Sequence, residues 1–302
     1  MPDVTLPDGL SVLLRALTYV LLLQAVGIAL FRARFGRLLL RSREAIRRLG
    51  LVSAIGGMVC AAGCFALQAP RMAGDMAGLW DLSLHAVALH SANGEVFSLT
   101  MLGLSALAVA FRRDGDLGTE GVIGAALAIA AFLLSGHTAS HSQRWLLGPL
   151  LAAHLLTVAF WFGALPGLYL ASRREAPGAA GRVLEAFSAI AVWLVPLIFL
   201  TGLAVATLLT PSWTVLHRPY GELLLVKIGG FAILMVLATV NKWRLGLGIA
   251  VRNQPALRVL LGSIASQYAL IIAILAATAV MTTFFSPDST IMLIDTHIRP
   301  EP

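Results

Sequence analysis

The sequence predicts an all-α fold, a polytopic membrane bundle of about eight transmembrane helices. Three observations predict it. Of the 302 residues, 58% are hydrophobic and only 12% are charged, roughly half the charged share of soluble domains. The apolar residues fall in long stretches, and a helix needs about 20 of them to cross the hydrocarbon core with every backbone group bonded internally. The basic residues gather in alternate connections between those stretches.

Taken in order, the spans are about 10–31, 49–68, 94–111, 119–137, 147–170, 184–209, 221–241 and 257–285. The first is read as a retained helix. Asp3 and Asp8 precede it and an arginine cluster follows, the reverse of the charge order in a secretory signal. The connection at 69–93 is the longest and only mildly apolar, which predicts a helix lying along the membrane surface. The polar tail 286–302 is too short for a domain, so residues 1–302 are read as a single membrane domain.

Orientation follows from Lys and Arg in the loops. One side carries Arg32, Arg34, Arg37, Arg41, Arg43, Arg47, Arg48, Arg112, Arg113, Arg173, Arg174, Arg182, Lys242, Arg244, Arg252 and Arg258. The other carries only Arg71, Arg144, Arg218 and Arg299. That asymmetry predicts periplasmic N- and C-termini in a bacterial inner membrane. The net charge of +7 belongs to this loop pattern and not to a nucleic-acid surface, whose basic residues would cluster on one face. The two cysteines, Cys60 and Cys64, lie inside an apolar span, so no disulfide framework is indicated.

All seven histidines fall on the side away from the basic loops. His85 and His90 lie in the long connection, His137 and His141 end the fourth span, and His154 enters the fifth. His217 and His297 read as plain loop residues. His137 and His141 are four apart and share a helix face, and the short loop to His154 makes the two helices antiparallel neighbours. Three imidazoles can therefore converge there, with His85 or His90 closing from above. Such a set suits copper, zinc, iron or nickel. The bland alternatives are hydrated interfacial residues for the pair and a carbonyl-bonded neutral ring for His154.

Softer candidates are Cys60 and Cys64, one helix turn apart, and the thioethers of Met72, Met76 and Met101. As small buried residues and apolar filler they have equally ordinary readings. Asp75, Asp81 and Glu95 add carboxylates that would draw cations. Lys227 sits about two turns deep in the seventh span, a costly depth unless it snorkels, pairs or lines a wet cavity. Glu222, five residues earlier, is an awkward partner for it. No nucleophile motif, phosphate loop or zinc-protease pattern is present, so no enzymatic activity is expected.

At these residues the chain resembles the CopD family of bacterial copper-resistance and copper-uptake membrane proteins, over about 120–285. The landmarks are Gly136-His137, His154 in the run His-Leu-Leu-Thr-Val-Ala-Phe-Trp-Phe-Gly-Ala-Leu at 154–165, Phe187-Ser188 and Thr201-Gly202. Tyr220-Gly221 before Lys227, and Asn241-Lys242, complete the set. The first 118 residues match only in topology. The resemblance implies an eight-helix inner-membrane protein that moves or handles copper, often beside a small periplasmic copper-binding partner. It maps His137, His154, Tyr220 and Lys227 onto landmark positions. One departure stands out: the last helix usually carries a glutamate where Gln267 aligns. Two other classes stay open, a haem b electron-transfer protein with His137 and His154 as axial ligands, and an accessory subunit that captures metal without moving it.

Overall fold

The computed structural model describes residues 6–113, 118–135, 141–209, 219–243 and 251–285. Among them the chain is helical, with no strand, as its fold class predicts. The elements are α1 (Leu6–Phe35), α2 (Arg43–Ala66), α3 (Gln68–Ala73), α4 (Leu82–Leu89) and α5 (Ala92–Arg112). After them come α6 (Thr119–Leu133), α7 (Arg144–Arg174), α8 (Pro177–Leu209), α9 (Pro219–Trp243) and α10 (Gln254–Phe284). Seven of the helices are long and apolar enough to cross a membrane, and α6 is a shorter apolar helix. The chain is a multi-pass membrane protein. The connection at 69–93 is α3, a short 3-10 turn at Met76–Trp80, and α4, rather than one helix.

α1 is the axle of the bundle, packed along α2, α7 and α10 and touching α6. Glycine makes its tightest contact possible. A Cβ on Gly27 would lie 1.8 Å from the Ala159 carbonyl oxygen of α7, and one on Gly163 would lie 2.2 Å from the Gly27 carbonyl carbon. α5 and α6 meet the same way, Gly103 against the backbone of Ala128 at 2.6 Å. In lipid no hydrophobic drive brings helices together, so close van der Waals approach through small residues holds them. Phe31, Phe35, Phe111 and Phe162 fill the space this leaves and are fully buried.

α8 and α9 are attached differently. α8 packs along α7 and α9 along α10, but the two hardly touch each other. Their outward faces, with Trp193 and Leu200 on one and Val226, Ile233 and Val236 on the other, are exposed and apolar, which suits contact with acyl chains. A groove floored by α7 and α10 runs between them.

Where α1 turns into α2, Glu175 at the end of α7 ties the corner down. Its carboxylate accepts the Ser42 hydroxyl at 2.6 Å and the N–H groups of Arg41 and Ser42 at 2.8 Å each. Burial raises its pKa, but those bonds from Ser42 and Arg41 outweigh it and hold the carboxyl below its usual range. This end of the bundle carries the basic residues of the α1–α2 corner and the last turns of α5, α7 and α9, and is called the arginine-rich end below.

Candidate metal-handling site

His154 lies in the half of α7 away from the arginine-rich end, half-buried, with its ring turned to α8. Nδ1 is 3.2 Å from the Ile198 carbonyl oxygen and 3.3 Å from Thr201 Oγ1. A carbonyl only accepts, so Nδ1 carries the proton and Nε2 keeps its lone pair. The Thr201 hydroxyl donates to Leu197 O at 2.5 Å, which leaves its oxygen free to accept from the ring. Gly202 makes room: a Cβ there would lie 3.0 Å from His154 Cε1. Thr201 orients the imidazole and Gly202 admits it.

Lys227 of α9 acts on His154 by charge. Tyr220, seven residues earlier and about 10 Å up the helix, is buried against Met281 of α10. Glu222 is exposed in the first turn of α9 and stands apart from this set.

The other histidines among the described residues each engage the backbone nearby. His85 Nε2 donates to Leu79 O at 2.9 Å, His90 Nδ1 donates to Ala86 O at 2.8 Å, and His141 Nδ1 accepts from Gln143 N–H at 3.1 Å. His137, His217 and His297 lie outside the described residues. Among the described residues no three His, Cys, Asp or Glu side chains come together. Met72 and Met76 are exposed, Met101 is partly buried, and Cys60 and Cys64 are free and partly buried. Cys64 leans toward Ser11 O at 3.9 Å, with Arg15 and Arg71 acting on it by charge.

Two of the three carboxylates expected to draw cations, Asp75 and Asp81, have structural work. Asp75 accepts from the N–H groups of Ala77 and Gly78, and Asp81 from those of Ser83 and Leu84, so each closes the start of a short helix. Hydrogen bonds from the Ser83 hydroxyl, then from the Ser83 and Leu84 N–H groups, hold the Asp81 carboxyl below its usual range. Glu95 is exposed in the first turn of α5. Asp8 pairs with Arg71 at 3.1 Å.

Toward the arginine-rich end the groove widens into a cavity of about 350 Å³ between α7, α8, α9 and α10, lined among others by Trp161, Ser188, Met235, Asn241, Lys242 and Gln267. Trp161 lies two turns beyond His154 on α7. At the His154 level, where α8 contributes Ile198 and Thr201, the rings of Phe199 and Phe231 stack at 6.3 Å and join α8 to α9. Neither Met235 nor the Trp161 indole stands out in the sequence as a polar or metal-binding group. The signal available was spacing: Trp161 is seven residues after His154 and so shares its face.

A multi-pass helical protein with an imidazole oriented by a neighbouring helix is the class that fold and site define. The chain matches the family description "Copper resistance protein D-like, N-terminal domain" over residues 5–145 and "Copper resistance protein D" over residues 181–281. It belongs to the CopD family and is a copper-resistance-related membrane protein, as its landmark residues imply. The match at 5–145 also covers the region where the likeness rested on topology alone. No curated protein and no solved structure matches the chain.

Proposed function

We propose that this protein takes up copper at the end of the bundle away from the arginine-rich loops and carries it across the bacterial inner membrane along the groove between α8 and α9. The observation that carries the reading is His154, an imidazole inside the bundle whose Nδ1 is committed to α8 and whose Nε2 is left for a metal. Retention of Lys and Arg on the cytoplasmic side puts both termini and the histidines in the periplasm. His85, His90, His137 and His141 then meet the ion first, a small periplasmic copper-binding protein being its natural donor. Met72, Met76, Met101, Cys60 and Cys64 are the softer groups near that entrance. No bond of a substrate is made or broken, so the protein is a carrier and not an enzyme.

Lys227 supplies the other half of the reading. A permeation site must bind well enough to load and weakly enough to release. The Lys227 charge acts on His154 and opposes a cation there, so the ion resides only while that charge is displaced or neutralised. The test is copper content of the purified protein and copper flux in proteoliposomes, for the parent and for His154→Ala. Loss of both in a monodisperse variant supports the proposal, and unchanged occupancy sinks it. A Soret band in the same preparation would speak instead for haem held by His137 and His154.

A further inference from the structure

We infer that the cavity at the arginine-rich end of the groove is a phospholipid site, which takes one acyl tail from the leaflet at that end and selects an anionic headgroup at its rim. The wall is mostly apolar, with Leu165 of α7, Leu184 of α8, Met235 of α9 and Ile264 of α10 among its members. An empty apolar space of about 350 Å³ forfeits dispersion contacts with its lining, and such a wall gives water too few hydrogen-bond partners. Hydrocarbon fills it, and hydrocarbon lies next to it. α8 and α9 hardly touch, so the cavity opens sideways between their lipid-facing surfaces.

Its length is that of one leaflet. α8 lines it from Leu184 to Pro196 and α9 from Met235 to Trp243. At about 1.5 Å per residue that is about 12–18 Å along the helices, against about 15 Å for half of the hydrocarbon core. The two ends differ. Pro196 and Met235 mark the one at mid-bundle, whereas Lys242 and Trp243, in the last turn of α9, stand at the other and are exposed. An indole at a helix end belongs at the headgroup level, and an ammonium there meets the lipid phosphate. No carboxylate among the described residues lines the cavity to compete for that ammonium. The arginines that end α1 and α7 lie at the same end of the bundle and add to a field that favours a net negative headgroup. The site stands apart from the copper reading, and a seated tail closes the groove at this end until it withdraws.

Lipid retention is read directly by native mass spectrometry. The purified protein in detergent is titrated with phosphatidylglycerol or with phosphatidylcholine of identical chains. The parent should retain one phosphatidylglycerol at about fivefold lower lipid concentration than phosphatidylcholine, the preference expected of one lysine near the membrane surface. Lys242→Gln should bring the two lipids level. Ala191→Phe sets a ring into the slot from α8 and should weaken retention of both lipids severalfold. Ala238→Leu, a smaller insertion from α9, carries the same comparison where Ala191→Phe is not monodisperse. Val236→Phe, on the lipid face of α9, should leave retention as in the parent. Equal retention of the two lipids by the parent overturns the headgroup selection. Slot-filling variants that hold lipid as tightly as Val236→Phe overturn the tail site. The assay contains no copper, so either failure leaves the carrier reading where it stood.

Discussion

Two parts of this bundle are built on opposite rules. Around α1, helices meet backbone to backbone through glycines, and 44% of the apolar stretch of α1 is buried. In α8 and α9 only 11% is buried, and the two helices stand apart over a groove with polar groups in its wall. Tight packing makes a rigid frame, since close-packed interiors transmit strain and resist change. Loose packing leaves elements that shift at low cost. The frame fixes α7, and with it the height of His154. The loose pair sets how far Thr201 and Lys227 stand from that ring. The proposed carrier role needs both: a reference that does not move and a wall that does.

The contrast is broken most severely at the α1–α7 crossing. Gly27→Ala puts a methyl group 1.8 Å from the Ala159 carbonyl oxygen and should destabilise the fold by about 3 kcal/mol or more, seen as loss of monodisperse protein in detergent. A well-folded variant with unchanged melting would mean that the frame is not rigid. Glu175→Gln comes next, because it weakens three hydrogen bonds to a charged acceptor at the α1–α2 corner. About 2 kcal/mol is expected, read as a lower Tm. The folded pKa of Glu175 is depressed, so its stabilisation is complete above the ordinary value of 4.5 and fades as pH falls through the lower folded value. The parent should therefore lose Tm below that range more steeply than Glu175→Gln. Parallel profiles would remove the carboxylate from the account.

In the loose half the effects should fall on binding and not on folding. Lys227→Met removes a charge that acts on His154 and should tighten copper binding roughly tenfold, as for unit charges about 12 Å apart at an effective dielectric of about 20, while slowing release in a flux assay. Weaker binding would show that the ammonium helps to hold the site. Gly202→Ala sets a methyl group 3.0 Å from the His154 ring and should lower copper occupancy with little change in Tm. The smallest effect is Gly229→Ala on α9, where a Cβ meets nothing within 4 Å. It should be neutral or slightly stabilising, by up to about 1 kcal/mol. A large loss there would mean that α9 packs against a neighbour after all.

The spans were readable because each is a local property. Residues 219–243 form a helix where 221–241 was expected, and 254–284 where 257–285 was expected. The site was readable only in its parts. His154, Thr201-Gly202 and Lys227 each stood out in the chain, but nothing local said that Thr201 and Gly202 belong to His154. That link joins α7 to α8 across 47 residues. Asp75 and Asp81 illustrate the opposite case. Their charge pointed to cations, whereas the N–H groups two and three residues onward were nearer partners.

The amino-acid sequence by itself determined the number, length and order of the apolar helices, the crowding of basic residues into alternate connections, and the family. A bilayer imposes thickness and charge rules on each segment separately, so those features can be read one segment at a time. Tertiary structure alone decided that α1 is the axle, that His154 faces α8, and that Trp161, Asn241 and Gln267 share one cavity. In a membrane both the lipid face and the packed face of a helix are apolar, so hydrophobic pattern does not mark which side turns inward. Only the meeting of distant backbones at small residues settles it.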